Sequence, residues 1–98
     1  MGDHIPRSTI RVLISGQVQG VWYRGWTVGE ARAVGLDGWV RNRNDGKVEA
    51  VFSGPLDRVQ AMINACRVGP PAARVTNMEC FDDADPPSHS GFHQLPTL

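Results

Sequence analysis

The sequence predicts an α+β fold in which two helices cover one face of an antiparallel sheet. Three observations carry this expectation. A chain of 98 residues is long enough for one hydrophobic core and too short for two. Several runs alternate branched residues with polar ones at period two, as half-buried strands do. Between them lie two stretches whose apolar residues recur at helical intervals, each bounded by glycine or proline.

Thr9 to Ser15, "TIRVLIS", places Ile10, Val12 and Ile14 on one side and reads as a strand. From Tyr23 the spacing changes: Tyr23, Thr27, Ala31 and Val34 form a stripe on one helical face, and Gly35 supplies a C-terminal stop. "LDGWVRNRNDGKVEAVFSG" reads as a hairpin, with Trp39-Val40 in one strand, Asp45-Gly46 as the turn, and Val48, Ala50 and Phe52 alternating in the next. Gly54-Pro55 ends that strand. Leu56, Val59, Met62, Ile63 and Cys66 then recur at helical intervals behind the proline, which suits a first turn. "ARVTNMECF" is a further strand, "DDADPPSHS" a polar loop, and "GFHQL" a weak last strand whose nearby Pro96 suits an edge. The order β-α-β-β-α-β with a short trailing strand is the ferredoxin-like split βαβ arrangement. Residues 1–7 are expected as a flexible lead-in and residues 8–98 as a single domain.

Ten basic and ten acidic side chains balance, so no bulk field draws the chain to nucleic acid or to an acidic membrane. An anion must be caught locally. No apolar run has the length of a membrane span or a secretory signal, which leads us to expect a soluble, cytoplasmic monomer. Cys66 and Cys80 lack metal-ligand spacing and are expected as free, buried thiols.

The stretch "GQVQGVWYRGW", Gly16 to Trp26, joins the first strand to the first helix. Glycines that bend the chain at a strand end expose backbone N–H groups, and the helix start adds unpaired donors and the positive end of its dipole. Such a turn suits an anion. Arg24, about one turn into the helix, is placed to fork onto phosphate or carboxylate oxygens. The nucleotide P-loop would want Gly-Lys-Ser/Thr at its end, and the dinucleotide fingerprint a third glycine. Neither is present.

"GQVQGVWYR", Gly16 to Arg24, with "GLDGWVRNRNDGKVEAVFSG", Gly35 to Gly54, and "GPPAARV", Gly69 to Val75, resembles the acylphosphatase family in order and spacing over about residues 8–81. The resemblance implies a small ferredoxin-like enzyme that hydrolyses the carboxyl–phosphate bond of acyl phosphates. It implies that Gly16, Gln17, Val18, Gln19, Gly20, Val21 and Trp22 form the phosphate-binding loop. Arg24 would then be the phosphate-binding arginine, and Asn42 the asparagine that positions the attacking water. Asn44 sits beside Asp45-Gly46 in the hairpin turn, where an asparagine needs no function. Three departures stand out: Tyr23 where the family usually has Phe, Gly25 and Gly29 inside the first helix, and a tail "FHQLPTL" without the family's alternating Phe-x-Ile.

The chain shows no convincing nucleophile, general acid or metal cluster, and no cofactor or metal is expected. His4, His89 and His93 fall in the lead-in, a loop and the terminal strand; Ser15 has no paired base; Asp45 and Glu49 suit turn chemistry and a solvated face. An acyl phosphate makes these absences intelligible. Its leaving carboxylate has a conjugate acid of pKa about 4, so it departs at neutral pH without a delivered proton. Phosphoryl transfer then asks mainly for positioning and charge stabilisation, which backbone N–H groups and one arginine supply. The expected partners are a small-molecule acyl phosphate, with inorganic phosphate or sulfate as competing anions, and neither nucleic acid nor membrane. Two other readings share the fold: a non-catalytic anion-binding or regulatory module, and an RNA-recognition domain, which would need an aromatic or arginine-rich patch on the strands that the sequence does not display.

Overall fold

The computed structural model describes residues 6–82 and 84–98. Most of the expected lead-in, residues 1–5, lies outside the described residues. The elements are β1 (Arg7–Gln17), α1 (Tyr23–Ala33), β2 (Asp37–Asn42), β3 (Val48–Pro55), α2 (Leu56–Cys66), β4 (Arg74–Phe81) and β5 (Phe92–Gln94). They build one sheet in the order β4-β1-β3-β2-β5.

The four longer strands are antiparallel. β5 instead runs parallel to β2, pairing Gly38 with Phe92 and Val40 with Gln94, so the sheet is mixed where an antiparallel one was expected. The reason lies in the exit of β4. Phe81 pairs with Arg11 near the start of β1, at the end of the sheet where β2 also begins, so the chain crosses that end and can only run back alongside β2. Its arrival is fixed by two bonds: the Gly91 N–H donates to Asp37 Oδ1 at 2.7 Å and the Gly38 N–H to Gly91 O at 3.0 Å.

Val12, Ile14, Val40, Val48, Ala50 and Phe52 face both helices and are buried. α1 lies over β2 and β5, while α2 lies over β3 and β1. The stripe on α1 consists of Tyr23, Thr27 and Ala31; Val34 is exposed, because the helix ends at Ala33 and Gly35 (φ 70°) turns the chain away. That turn is closed by Leu36 N–H to Ala31 O and Gly35 N–H to Arg32 O, the paired bonds of a Schellman cap. β5 has only three residues, yet Phe92 is fully buried and stacks on Phe52 with centroids 5.4 Å apart. Burying such a ring contributes about 2–3 kcal/mol, which is what holds so short a strand.

The sheet face opposite the helices departs from the expected solvated surface. Glu49 is buried beneath Arg11 (3.3 Å), Arg41 (2.9 Å) and Arg43 (3.6 Å). The strands also gather an aromatic and arginine patch that was not foreseen: Arg11 lies 4.4 Å over the Phe81 ring and Arg41 4.8 Å over Trp39. Pairing across strands β4, β1, β3 and β2 assembles it from residues distant in sequence. The guanidinium groups cover both rings, which removes the bare platform that base stacking requires. Of the two cysteines, Cys66 is buried as expected and Cys80 is exposed, since β4 is an edge strand.

Candidate active site

The loop between β1 and α1 is shaped by three residues with positive φ. Gly16 (φ 125°) sits at a register shift between β1 and β4, and a Cβ there would stand 2.1 Å from Arg74 O. Only glycine fits. Gly20 (φ 76°) and Trp22 (φ 64°) complete the bend. After β1, the first amide among the described residues to find a backbone acceptor is that of Trp26, which donates to Trp22 O at 3.0 Å. The intervening N–H groups have no backbone acceptor among the described residues, and with the N-terminus of α1 they are open to an anion.

Gln19 secures this loop. Its Nε2 donates to Arg43 O at 2.8 Å and Lys47 O at 2.9 Å, tying the loop to the hairpin that joins β2 to β3. The last residue of β2 is Asn42, so the clamp fixes Asn42 relative to the loop. Val18 is buried beneath the turn and Val21 packs against the core.

A cavity of about 120 Å³ opens here, lined by Val18, Gly20, Trp22, Tyr23, Arg24, Gly25, Asn42 and Gln94. That is well above the roughly 10–15 Å³ that one water needs. Arg24 and Asn42, foreseen from sequence, are therefore brought together. Of the expected loop residues Val18, Gly20 and Trp22 line the cavity, whereas Gly16 and Gln17 close β1, Gln19 turns to the hairpin and Val21 turns inward. Asn44 stays in the hairpin turn and does not line it.

Arg24 shares with Arg7, Arg32, Arg58, Arg67 and Arg74 the lack of an ion pair among the described residues, and of these it is the one that lines the cavity. Arg11, Arg41 and Arg43 are each paired with a carboxylate, while none of the ion pairs among the described residues involves Arg24. Its charge is available to an external anion. Asn42 Oδ1 is buried and has no hydrogen-bond partner among the described residues. An orphaned buried acceptor costs about 1–3 kcal/mol, and one that lines a polar cavity is satisfied by a water or ligand proton. Among the described residues no three His, Cys, Asp or Glu side chains are placed to hold a metal ion.

Tyr23 explains its own departure from Phe. The ring is buried and its hydroxyl donates to Cys66 O at the end of α2, so the extra oxygen is paired and links the two helices. Sequence reasoning missed Gly25 and Gln94 as lining residues. Gln94 depends on the parallel register of β5, extended by Leu95 N–H to Val40 O and Leu98 N–H to Asn42 O; no local pattern reveals it. The role of Gly25 is likewise absent from any local pattern, since the notch it leaves beneath the Trp22 ring exists only in the folded chain.

The acylphosphatase sequence profile matches residues 10–94. The chain belongs to the acylphosphatase family. It is 58% identical over 90 residues to an acylphosphatase of Rhodospirillum rubrum, covering 92% of this chain and 98% of that one. It is 51% identical over 96 residues to an acylphosphatase of Rhizorhabdus wittichii, covering 98% and 96%. The fold superposes on the crystal structure of acylphosphatase from Bacillus subtilis with a TM-score of 0.84 at 33% identity, over 89% of this chain and 97% of that one. Like other acylphosphatases it is an enzyme that hydrolyses acyl phosphates. No helix among the described residues is long and apolar enough to cross a membrane.

Proposed function

We propose that the Gly16–Trp22 loop and Arg24 hold the phosphoryl group, and that Asn42 aims the water that attacks it. The observation that carries this reading is the cavity lined by both Arg24, which has no counter-ion among the described residues, and Asn42, whose Oδ1 has no hydrogen-bond partner among them. Asn42 Oδ1 accepts a hydrogen bond from the water and leaves an oxygen lone pair directed at phosphorus. The new P–O bond forms in line as the P–O bond to the acyl oxygen breaks, and the electron pair leaves with the carboxylate. Loop N–H groups and the Arg24 guanidinium stabilise the equatorial oxygens. The water's proton passes to an oxygen of the same phosphoryl group, so no side-chain base is required. The same reading takes the enzyme as a monomer. The free thiols Cys66 and Cys80 suit a reducing, cytoplasmic compartment.

The test is hydrolysis of benzoyl phosphate with a metal chelator present, set beside alkyl phosphate monoesters. Turnover of the acyl phosphate alone is expected, because an alkoxide leaves poorly unless protonated. Loss of activity with chelator and recovery with Mg²⁺ overturns the metal-free mechanism, and efficient alkyl-monoester hydrolysis overturns the leaving-group argument.

A further inference from the structure

One wall of the cavity is not used by the phosphoryl chemistry. Trp22 lines it while remaining 72% exposed. Its backbone is left-handed, at φ 64° and ψ 24°. Every other described residue with positive φ is a glycine. For a bulky side chain this region is a strained one, and strain of this kind gathers at ligand-contacting positions. Glycine would make the same turn without it, so the indole is kept at a cost to the backbone.

The indole also has a seat. A Cβ on Gly25 would stand 2.2 Å from Trp22 Nε1, 2.6 Å from Cε2 and 2.8 Å from Cδ1. The pyrrole edge thus rests on bare backbone, in a notch that alanine would fill. Gly29, the other glycine of α1, would meet nothing within 4 Å, so the notch is particular to Gly25. Helix and loop together hold an exposed aromatic ring at the cavity's rim, while Arg24 and Asn42 occupy its polar side.

We infer that Trp22, seated on Gly25, is the acyl-side wall of the site and favours acyl phosphates with a flat aromatic acyl group over those with a short aliphatic one. This rests on the reading of Arg24 and the loop as the phosphoryl site. With the phosphoryl group held there, the acyl substituent emerges at the rim and meets the indole. An aromatic substituent gains apolar burial and ring–ring contact, whereas a methyl group gains little. Trp22 touches the substrate's non-reacting end, so its side chain sets specificity rather than chemistry.

The experiment measures kcat/KM for benzoyl and acetyl phosphate in the parent, Trp22→Ala, Trp22→Phe and Gly25→Ala. The benzoyl-to-acetyl ratio should fall about tenfold in Trp22→Ala and be largely kept in Trp22→Phe. It should fall again in Gly25→Ala, where the indole is present but displaced. Calorimetric binding of phenylphosphonate and methylphosphonate reads the same preference without turnover, should a variant be slow. A ratio within twofold of the parent's in Trp22→Ala overturns the wall, including the case in which both substrates suffer equally. An unchanged ratio in Gly25→Ala overturns the seat. A parent that hydrolyses neither acyl phosphate and binds neither phosphonate overturns the phosphoryl-site reading instead.

Discussion

Arg24 and Asn42 share one cavity and have different properties to lose. If Arg24 holds the phosphoryl group as proposed, Arg24→Ala removes a charge used in both ground and transition states, and KM, phosphate inhibition and turnover should deteriorate together. Arg24→Lys should recover little, since an ammonium does not reproduce a planar fork. On the proposed reading, Asn42→Ala leaves the loop intact and removes the acceptor that would aim the water. Steady-state kinetics should show kcat reduced by about 10² or more, the scale of a misplaced reacting group, with phosphate inhibition near the parent's. Asn44→Ala is the control; if it loses turnover while Asn42→Ala does not, the roles of the two asparagines are exchanged. Arg24 and Asn42, which line one cavity, could be singled out as candidates in the sequence because each lies in a local motif. Gly25 and Gln94 could not, because a notch beneath an indole and the register of a parallel edge strand exist only in the folded chain.

The two glycines of α1 make opposite cases at the level of the element. Each lowers intrinsic helix propensity by about 1 kcal/mol relative to alanine. At Gly29 a methyl group meets open space, so Gly29→Ala should stabilise the protein by about that amount, read as an increase in the urea midpoint at unchanged m value. At Gly25 the same gain is set against the indole of Trp22. A Gly29→Ala variant that unfolds earlier than the parent would show that α1 is constrained there by something other than propensity. Both helices were legible from their stripes and from the glycine or proline at their boundaries. Val34 was misplaced because a stripe continues on paper past the point where Gly35 turns the backbone. β5 was recognisable as a strand, but its direction follows from where β4 ends, which is a property of the whole sheet.

Across the whole molecule, the link between the helices sets an alkaline limit. Burial, opposed in part by the Tyr23 hydroxyl, pushes the Cys66 thiol up to about 12 from its ordinary 9.0. Burial, with the nearby Cys66 adding to it, also raises the Tyr23 phenol. The native chain therefore keeps protons that the unfolded chain releases, so stability is full below about pH 9 and declines as pH rises from there toward 12. The slope approaches about 1.4 kcal/mol per pH unit for one such group. Urea midpoints between about pH 8 and pH 9.5 should show the decline beginning, and Cys66→Ala should flatten it there, where tyrosine, with its ordinary pKa of 10.0, is still mostly protonated in either state. A parent curve flat to pH 11 would contradict a thiol held neutral by burial. Balanced composition was a sound guide to the net field, yet gave no sign that three arginines converge on Glu49, because cross-strand pairing chooses which charges meet.

Anion binding should also be visible in the stability of the whole fold. If the loop N–H groups and Arg24 hold phosphate as proposed, that site exists only when β1, α1 and the hairpin clamped by Gln19 are all in place, so phosphate should bind the native state and not the unfolded chain. Such a ligand adds RT ln(1 + [L]/Kd), about 2.7 kcal/mol at a hundredfold excess over Kd. For a domain of 98 residues each kcal/mol moves Tm by about 4–8 °C, which places the shift at saturating phosphate on the order of 10 °C. Chloride at matched ionic strength serves as the control for screening. Arg24→Ala should abolish most of the shift and Asn42→Ala should keep it, since only the first removes a phosphate contact. A thermal scan with no phosphate-specific shift at any concentration would remove the loop as an anion cradle. A shift equal in the parent and Arg24→Ala would leave the backbone array as the binding group and take the arginine out of it.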